Sequence, residues 1–297
     1  MDQEERENWL SAGKIAGTAR EEARKLVVPG ARFIEIAETI EGRIRALGAE
    51  PAFPVNISVN EDAAHDTPVH GDERVIGDDD VVKVDIGAQI DGCIGDTAVT
   101  VCVGSRGLGL QRAAVDALEK ALALAKADLP VIEIGRVIDA TIRAAGAKPV
   151  ANLTGHSIER YTQHAGLTVP NVPTGGGVLS EGQVVAIEPF ATDGAGYIHE
   201  SREGGIYHLI KPSPQRDPAA RAALKTVQEK YPELPFASRW IAGAVPANRL
   251  PHAFKLLTRV GVLHSYGVLR EAGGGLVAQA EHTVIVEKDG CTITTKV

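Results

Sequence analysis

Apolar positions along the chain switch between two periods. Over residues 1–26, Leu10, Ile15, Ala19 and Ala23 recur at helical spacing, and Val27-Val28-Pro29-Gly30 stops the run. A second helix is predicted over about 32–47, with Ile36, Ile40, Ile44 and Leu47 on one face. Residues 81–103 become a strand-like apolar run, interrupted by Asp91-Gly92, the dipeptide of a tight hairpin turn. Helical spacing returns over about 111–128 and 134–145. Short strands and turns are predicted from about 150 to 212, with 184–187 the clearest strand. From 217 to about 262 the pattern is helical, broken by Pro232, Pro235, Pro246 and Pro251. The end, 276–297, alternates around Asp289-Gly290 and predicts a closing hairpin.

The hairpin at 81–103 holds two carboxylates, Asp85 and Asp96, in an otherwise apolar setting. A tight turn at Asp91-Gly92 sets Ile90 opposite Cys93 and Asp85 opposite Ala98. Asp96 then lies on the same face as Ala98, so the two acids become diagonal neighbours about 7–8 Å apart at the backbone. Two carboxylates in an apolar sheet repel each other and resist losing water. Three outcomes fit: a retained proton, a divalent cation between them, or a face that is simply solvated.

Composition narrows the field. The chain has 297 residues, and 44% of them are hydrophobic but only 4% aromatic, so the core must be built from Val, Ile, Leu and Ala. The net charge of −8 argues against a dedicated nucleic-acid binder, which needs a basic surface. No run of apolar residues reads as a membrane span or signal peptide, and a cytoplasmic protein is expected. Cys93, Cys102 and Cys291 are few and widely spaced, which suits a reducing compartment.

Further acids end apolar stretches. Glu188 closes "VVAIE", which echoes "VVKVD" at 81–85, and Glu281 sits in "VAQAEHTVIV". Both five-residue stretches follow a polar turn, so a duplicated half-domain is compatible with the pattern. His156 lies in "NLTGHSI" beside Gly155. A lone histidine of this kind is more often a local hydrogen-bonding residue than a ligand. Four carboxylates and one imidazole nevertheless form a sensible donor set for two divalent cations about 3.5–4 Å apart, an arrangement suited to hydrolysis.

At this point the stretches "AFPVNISVNEDAAHDTP", "KVDIGAQIDGCIGDTAVTV", "NLTGHSIERYTQHAG", "AIEPFAT", "GVLHSYGVL" and "VAQAEHTVIV" carry a resemblance. In order and spacing they resemble the type 2 methionine aminopeptidases in their short archaeal form, within metallopeptidase family M24. The resemblance implies an α+β "pita-bread" fold, as in creatinase: two pseudo-symmetric halves around a curved antiparallel sheet. It implies a single catalytic domain over 1–297, with a helical insertion at 214–264.

The resemblance also implies roles. Asp85, Asp96, His156, Glu188 and Glu281 would be ligands of two divalent ions (Co, Mn, Fe or Zn), with Asp96 and Glu281 bridging. Glu188 would also accept a proton. His65 and His164 would contact the substrate near its scissile bond, and Phe53, Phe190 and Tyr266 would wall the methionine pocket. Gln163 and Ile206 depart from some relatives, which carry a more apolar residue and a histidine there. The implied activity is removal of the initiator methionine from nascent polypeptides when the second residue is small. A monomer is implied, with transient ribosome association and neither DNA nor membrane as partner.

Two other classes compete: an Xaa-Pro dipeptidase-like hydrolase on the same fold, and a non-enzymatic relative that binds ribosomes or RNA. The dipeptidases usually carry an extra amino-terminal domain, and the non-enzymatic relatives lose the ligands. The glycines of "GSRGLG" fall in the wrong order for a dinucleotide loop and predict a plain connection. The scattered basic residues of 217–262, with Glu229 and Glu233 among them, do not form a DNA-reading face.

Overall fold

The computed structural model describes residues 1–297. The amino-terminal helix α1 (Gln3–Leu26) is capped by Asp2, whose side chain accepts from the Glu5 backbone N–H at 2.9 Å. Its buried face is mostly alanine and glycine, with Trp9 and Arg20 the two large side chains. That choice lets the helix lie almost on the sheet: a Cβ on Gly95 would come 2.4 Å from the Cα of Gly13. Helix α2 (Phe33–Ala46) packs beside it through Ile36, Ile40 and Ile44.

Three short strands follow: β1 (Glu50–Pro51), β2 (Asn56–Val59) and β3 (Asp62–Ala64). The predicted hairpin is β4 (Val81–Ile90) and β5 (Cys93–Cys102), paired over its full length with Asp85 opposite Ala98 and Gly87 opposite Asp96. Asp91 at φ 48° and Gly92 at φ 79° both take the left-handed conformation that a two-residue turn of this twist needs.

The second half repeats the plan. Helices α3 (Leu108–Leu124) and α4 (Val131–Ala144) cover strands β6 (Lys148–Pro149), β7 (Thr154–Ile158), β8 (Thr168–Pro170), β9 (Val184–Ile187) and β10 (Phe190–Thr192). Each half thus has its own aliphatic core, one under α1 and α2 and the other under α3 and α4. The long strand β11 (Ile198–Leu209) then leads into helix α5 (Pro218–Lys230), the two-residue β12 (Phe236–Ala237), two 3₁₀ turns and α6 (Leu250–Arg259). These helices form a third cluster around Phe236, Phe254 and Leu257. The chain returns through β13 (Leu263–Glu271), β14 (Val277–Gln279), β15 (His282–Val286) and β16 (Cys291–Ile293), the last two forming the predicted closing hairpin.

The halves meet where β5 runs past β14 and β15, and the seam is sewn largely by threonine hydroxyls. Thr283 Oγ1 accepts from the Asp96 N–H at 2.9 Å and donates to the Asp96 carbonyl at 2.7 Å. Thr100 does the same for Gln279, at 2.8 and 2.7 Å. Thr97 Oγ1 donates to the Glu281 carbonyl at 2.8 Å. This reciprocal stitching fixes the backbones of Asp96 and Glu281 side by side, one from each half.

The principal difference from the sequence reading is the long β11–β13 pair: the pattern offers only short strands and turns over 150–212 and assigns no element to 263–275. Ile198–Glu203 is largely exposed, and the ladder has register shifts at Glu200/Glu203 and Glu203/Ile206. Bulges and a solvated face remove the alternation by which a strand is recognised.

Candidate metal centre

Asp85 comes from β4 and Asp96 from β5, on the face the hairpin register demands. Glycine at position 87, on the same strand face as Asp85, leaves room for the Phe53 ring, which a Cβ there would meet at 2.3 Å. His156 lies in β7, which pairs with β9, and Glu188 follows β9 directly. Glu281 is set between β14 and β15 by the threonine seam.

The side chains converge. Ligand atoms of Asp96, His156 and Glu281 all lie within 4.8 Å of one another. His156 Nε2 is 3.7 Å from both Asp96 Oδ2 and Glu188 Oε1. Asp96 is 1% exposed, Glu281 2% and His156 6%, so bulk water does not screen their charges.

Burial followed by mutual repulsion raises Asp85, Glu188 and Glu281 well above ordinary carboxylate values. Burial pushes Asp96 up to about 7, although hydrogen bonds from Gln163 and Asp85 oppose the shift. Burial likewise holds His156 down to about 3, so its imidazole is neutral.

Asp85 Oδ1, Asp96 Oδ1 and Glu281 Oε2 are buried without any hydrogen-bond partner. Orphaned carboxylate oxygens pointing into one space, with a neutral imidazole beside them, fit divalent cations of hard to borderline character.

Two amides brace the cluster. Gln163 Nε2 donates to Asp96 Oδ2 at 3.1 Å, and Gln279 Nε2 donates to Glu188 Oε2 at 3.3 Å. Gln279 was missed in the sequence, although its place two residues before Glu281 on a strand was a usable signal. Asn56 was missed too. It pairs with Asp85 across the β2–β4 ladder, and its buried Oδ1 has no partner.

The cluster opens into a narrow pit of about 30 Å³ lined by Phe53, Asn56, His65, Asp85, Gln163, His164, Ile206, Pro235 and Tyr266. A vestibule of about 530 Å³ shares Gln163, His164, Pro235 and Tyr266 with it and leads to solvent. The His164 ring is 4.3 Å from that of His156, and His65 meets the Tyr266 ring edge-on at 5.5 Å.

His65 has φ 63°, unusual for a side chain of its size. The loop carrying it is pinned by the Thr67 N–H to the Gly204 carbonyl at 3.0 Å, and position 204 must be glycine because a Cβ would strike the His65 carbonyl at 2.0 Å. Burial, then His164, holds His65 down to about 4. Phe190, expected at the pocket wall, packs instead with Ala63, Val150 and Val277 in the core. It stands on β10, between β14 and β6, and does not line the pit.

A separate hollow of about 480 Å³ lies elsewhere, behind β5 and beside α1 and α3. The orphaned carboxylate oxygens, not volume, single out the cluster.

Metallopeptidase family M24 matches residues 7–288. The chain belongs to family M24. Its two covered halves and curled antiparallel sheet are the pita-bread fold of that family. Among M24 relatives, it is 50% identical to the methionine aminopeptidase of Pyrococcus abyssi over 289 residues, 97% of this chain and 98% of that one. It is 50% identical to the methionine aminopeptidase of Archaeoglobus fulgidus over 297 residues, covering all of both chains. A crystal structure of methionine aminopeptidase from Thermotoga maritima shares the fold, with a TM-score of 0.74 at 24% identity over 100% of this chain and 98% of that one.

Proposed function

We infer that this M24 enzyme is a methionine aminopeptidase of type 2, releasing the amino-terminal methionine of new polypeptides when the second residue is small. The observation that carries the reading is the buried cluster of four carboxylates and one neutral imidazole opening on a two-histidine pit. It occurs in a chain half identical to methionine aminopeptidases along its length.

Asp85, Asp96, His156, Glu188 and Glu281 would hold two divalent ions. Ions bound there would supply Lewis-acid polarisation of the scissile carbonyl and an acidified water. Glu188 takes a proton from the attacking water and delivers it to the leaving amine, a task suited to a carboxyl group whose pKa burial has raised. Gln279 fixes which Glu188 oxygen is free. His164 and His65 donate hydrogen bonds to the peptide at the reacting centre. Their depressed basicity keeps both rings neutral and able to donate from one nitrogen.

Phe53, Ile206 and Tyr266 form the apolar wall that receives the methionine side chain. The pit is only about 30 Å³, so these side chains must part for it to enter. The narrow pit favours a small second residue, because misplacement by about 1 Å can cost on the order of 100-fold in rate. The 214–264 segment is an insertion in a single catalytic domain, and its Pro235 reaches the mouth of the site. The enzyme acts as a cytoplasmic monomer that meets its substrates at the ribosome.

The deciding test incubates metal-loaded protein with Met-Ala-Ser, Met-Lys-Ser, acetylated Met-Ala-Ser and Xaa-Pro dipeptides, with products weighed by mass spectrometry. Release of methionine from the first, with the second slow and the third intact, is expected. Cleavage of Xaa-Pro dipeptides with Met-Ala-Ser untouched would establish the dipeptidase reading instead.

A further inference from the structure

The hollow behind the cluster has its own chemistry. Alternation along the strands creates it: Asp96 and Glu281 point to the metal side, so their neighbours Thr97 and His282 point to the other. Arg20 of α1, only 7% exposed, crosses to this layer and donates to Thr97 Oγ1 at 2.7 Å. Its Nη1 also lies 3.2 Å from His282 Nδ1, which Thr295 Oγ1 approaches at 2.7 Å.

An arginine can only donate, so His282 Nδ1 is the acceptor and its proton sits on Nε2. His282 therefore presents an N–H to the hollow. Arg24 and Lys296 add two exposed cations at the same end. The acids nearby are Glu21, bridging Arg20 and Arg24, Glu119 on the opposite wall, and Glu281, which lines the hollow beside His282.

Much of the remaining wall is apolar, with Thr100, Gln111 and Glu119 set into it. Val115, Leu118 and Leu122 of α3 and Ile293 of β16 line it, and most are incompletely covered by the rest of the chain. A volume of about 480 Å³ lies within the range of about 300–1,000 Å³ typical of small-molecule sites. Donors gathered at one end of an aliphatic trough match one kind of guest.

We propose that this hollow binds a single-chain amphiphile with an anionic head, its tail along α3 and its head between Arg24, Lys296 and His282. Occupancy reaches the metal cluster through Arg20, Thr97 and the Glu281 carbonyl. That coupling, unlike the binding itself, rests on the metal reading above. By linkage, a guest that changes metal affinity has its own affinity changed by the same factor.

The test titrates the metal-free full-length protein with sodium octanoate by calorimetry. Octyl phosphate, octan-1-ol and acetate serve as comparisons. Saturable one-site binding is expected for octanoate or octyl phosphate, and the tighter of the two identifies the head as carboxylate or phosphate. Octan-1-ol and acetate should each bind at least tenfold more weakly. R24Q/K296Q should weaken the charged guest at least tenfold. Ala123→Trp, at an exposed position on the rim, should abolish binding with an unchanged circular dichroism spectrum.

Equal binding of octan-1-ol, indifference to both variants, or no saturable binding would overturn the site. Manganese affinity measured with and without saturating octanoate or octyl phosphate should differ at least threefold. Equal values would overturn the coupling while leaving the peptide assay to judge the metal reading.

Discussion

Asp96 carries more of the site than any other residue. Its backbone is held on both sides by Thr283, one carboxylate oxygen takes the Gln163 amide and lies 3.7 Å from His156, and the other has no partner. Such a group is a cost to the metal-free fold and becomes useful only when a cation arrives. Asp96→Asn should therefore have effects of opposite sign. The metal-free melting temperature should not fall, because one buried acid is removed from a group that already holds its protons. Metal content should drop by at least one equivalent, and peptide cleavage should be nearly lost. Elemental analysis and calorimetry on the same preparation check both, and a fully loaded, active variant would remove Asp96 from the ligand set.

Among elements, the legibility of the fold follows the locality of its signals. The β4–β5 register was readable because one dipeptide, Asp91-Gly92, fixes every pairing on either side. Val184–Ile187 was readable as an unbroken apolar run. The β11–β13 pair was not, because its strands are more than 50 residues apart, half solvated and bulged. The site divides the same way. Asp85 and Asp96 could be placed together from the turn alone, whereas His156 was legible only as a candidate fifth donor, and His65 and His164 entered only by resemblance. Their meeting depends on β7 pairing with β9 and on a loop seated against Gly204, contacts with no local trace.

The 218–259 helices are tied to the rest by a buried contact of this long-range kind. Arg239 pairs with Glu41 of α2 and donates to Thr67 Oγ1 at 2.8 Å and the Pro68 carbonyl at 2.9 Å, next to the His65 loop. Burial raises Glu41 and lowers Arg239, so each depends on the other for its charge. Arg239→Met should leave Glu41 buried alone and cost about 3–5 kcal/mol by denaturant titration. Metal stoichiometry should be unchanged, since no assigned ligand lies in this segment. A loss below about 1 kcal/mol would mean that Glu41 simply takes up a proton.

For the whole molecule, the cluster makes stability a function of both pH and metal. In the metal-free protein Asp96 is pushed up to about 7, and Asp85, Glu188 and Glu281 rise with it from ordinary carboxylate values of 3.8 and 4.5. The folded state then keeps protons that the unfolded chain releases, so this contribution is present at low pH and is lost as pH rises through the folded values. His65, held at about 4, and His156, at about 3, act oppositely: the unfolded chain binds more protons up to 6.5, and stability rises across that window. Lys83, buried and pushed down to about 7 from 10.5, adds a further rise above neutrality. A single pH curve therefore mixes opposing slopes. The difference between metal-loaded and metal-free protein cancels the contributions that lie away from the cluster, Lys83 among them. Cations need ionised carboxylates and neutral imidazole, so their binding strengthens as the four acids lose protons. Free metal at 100 times its dissociation constant stabilises by about 2.7 kcal/mol, and that ratio climbs with pH. The gap in melting temperature between manganese-loaded and chelator-treated protein should widen steadily from pH 5 to pH 8. Scanning calorimetry at four pH values measures it, and a constant or narrowing gap would show that these buried acids are not what holds the metal.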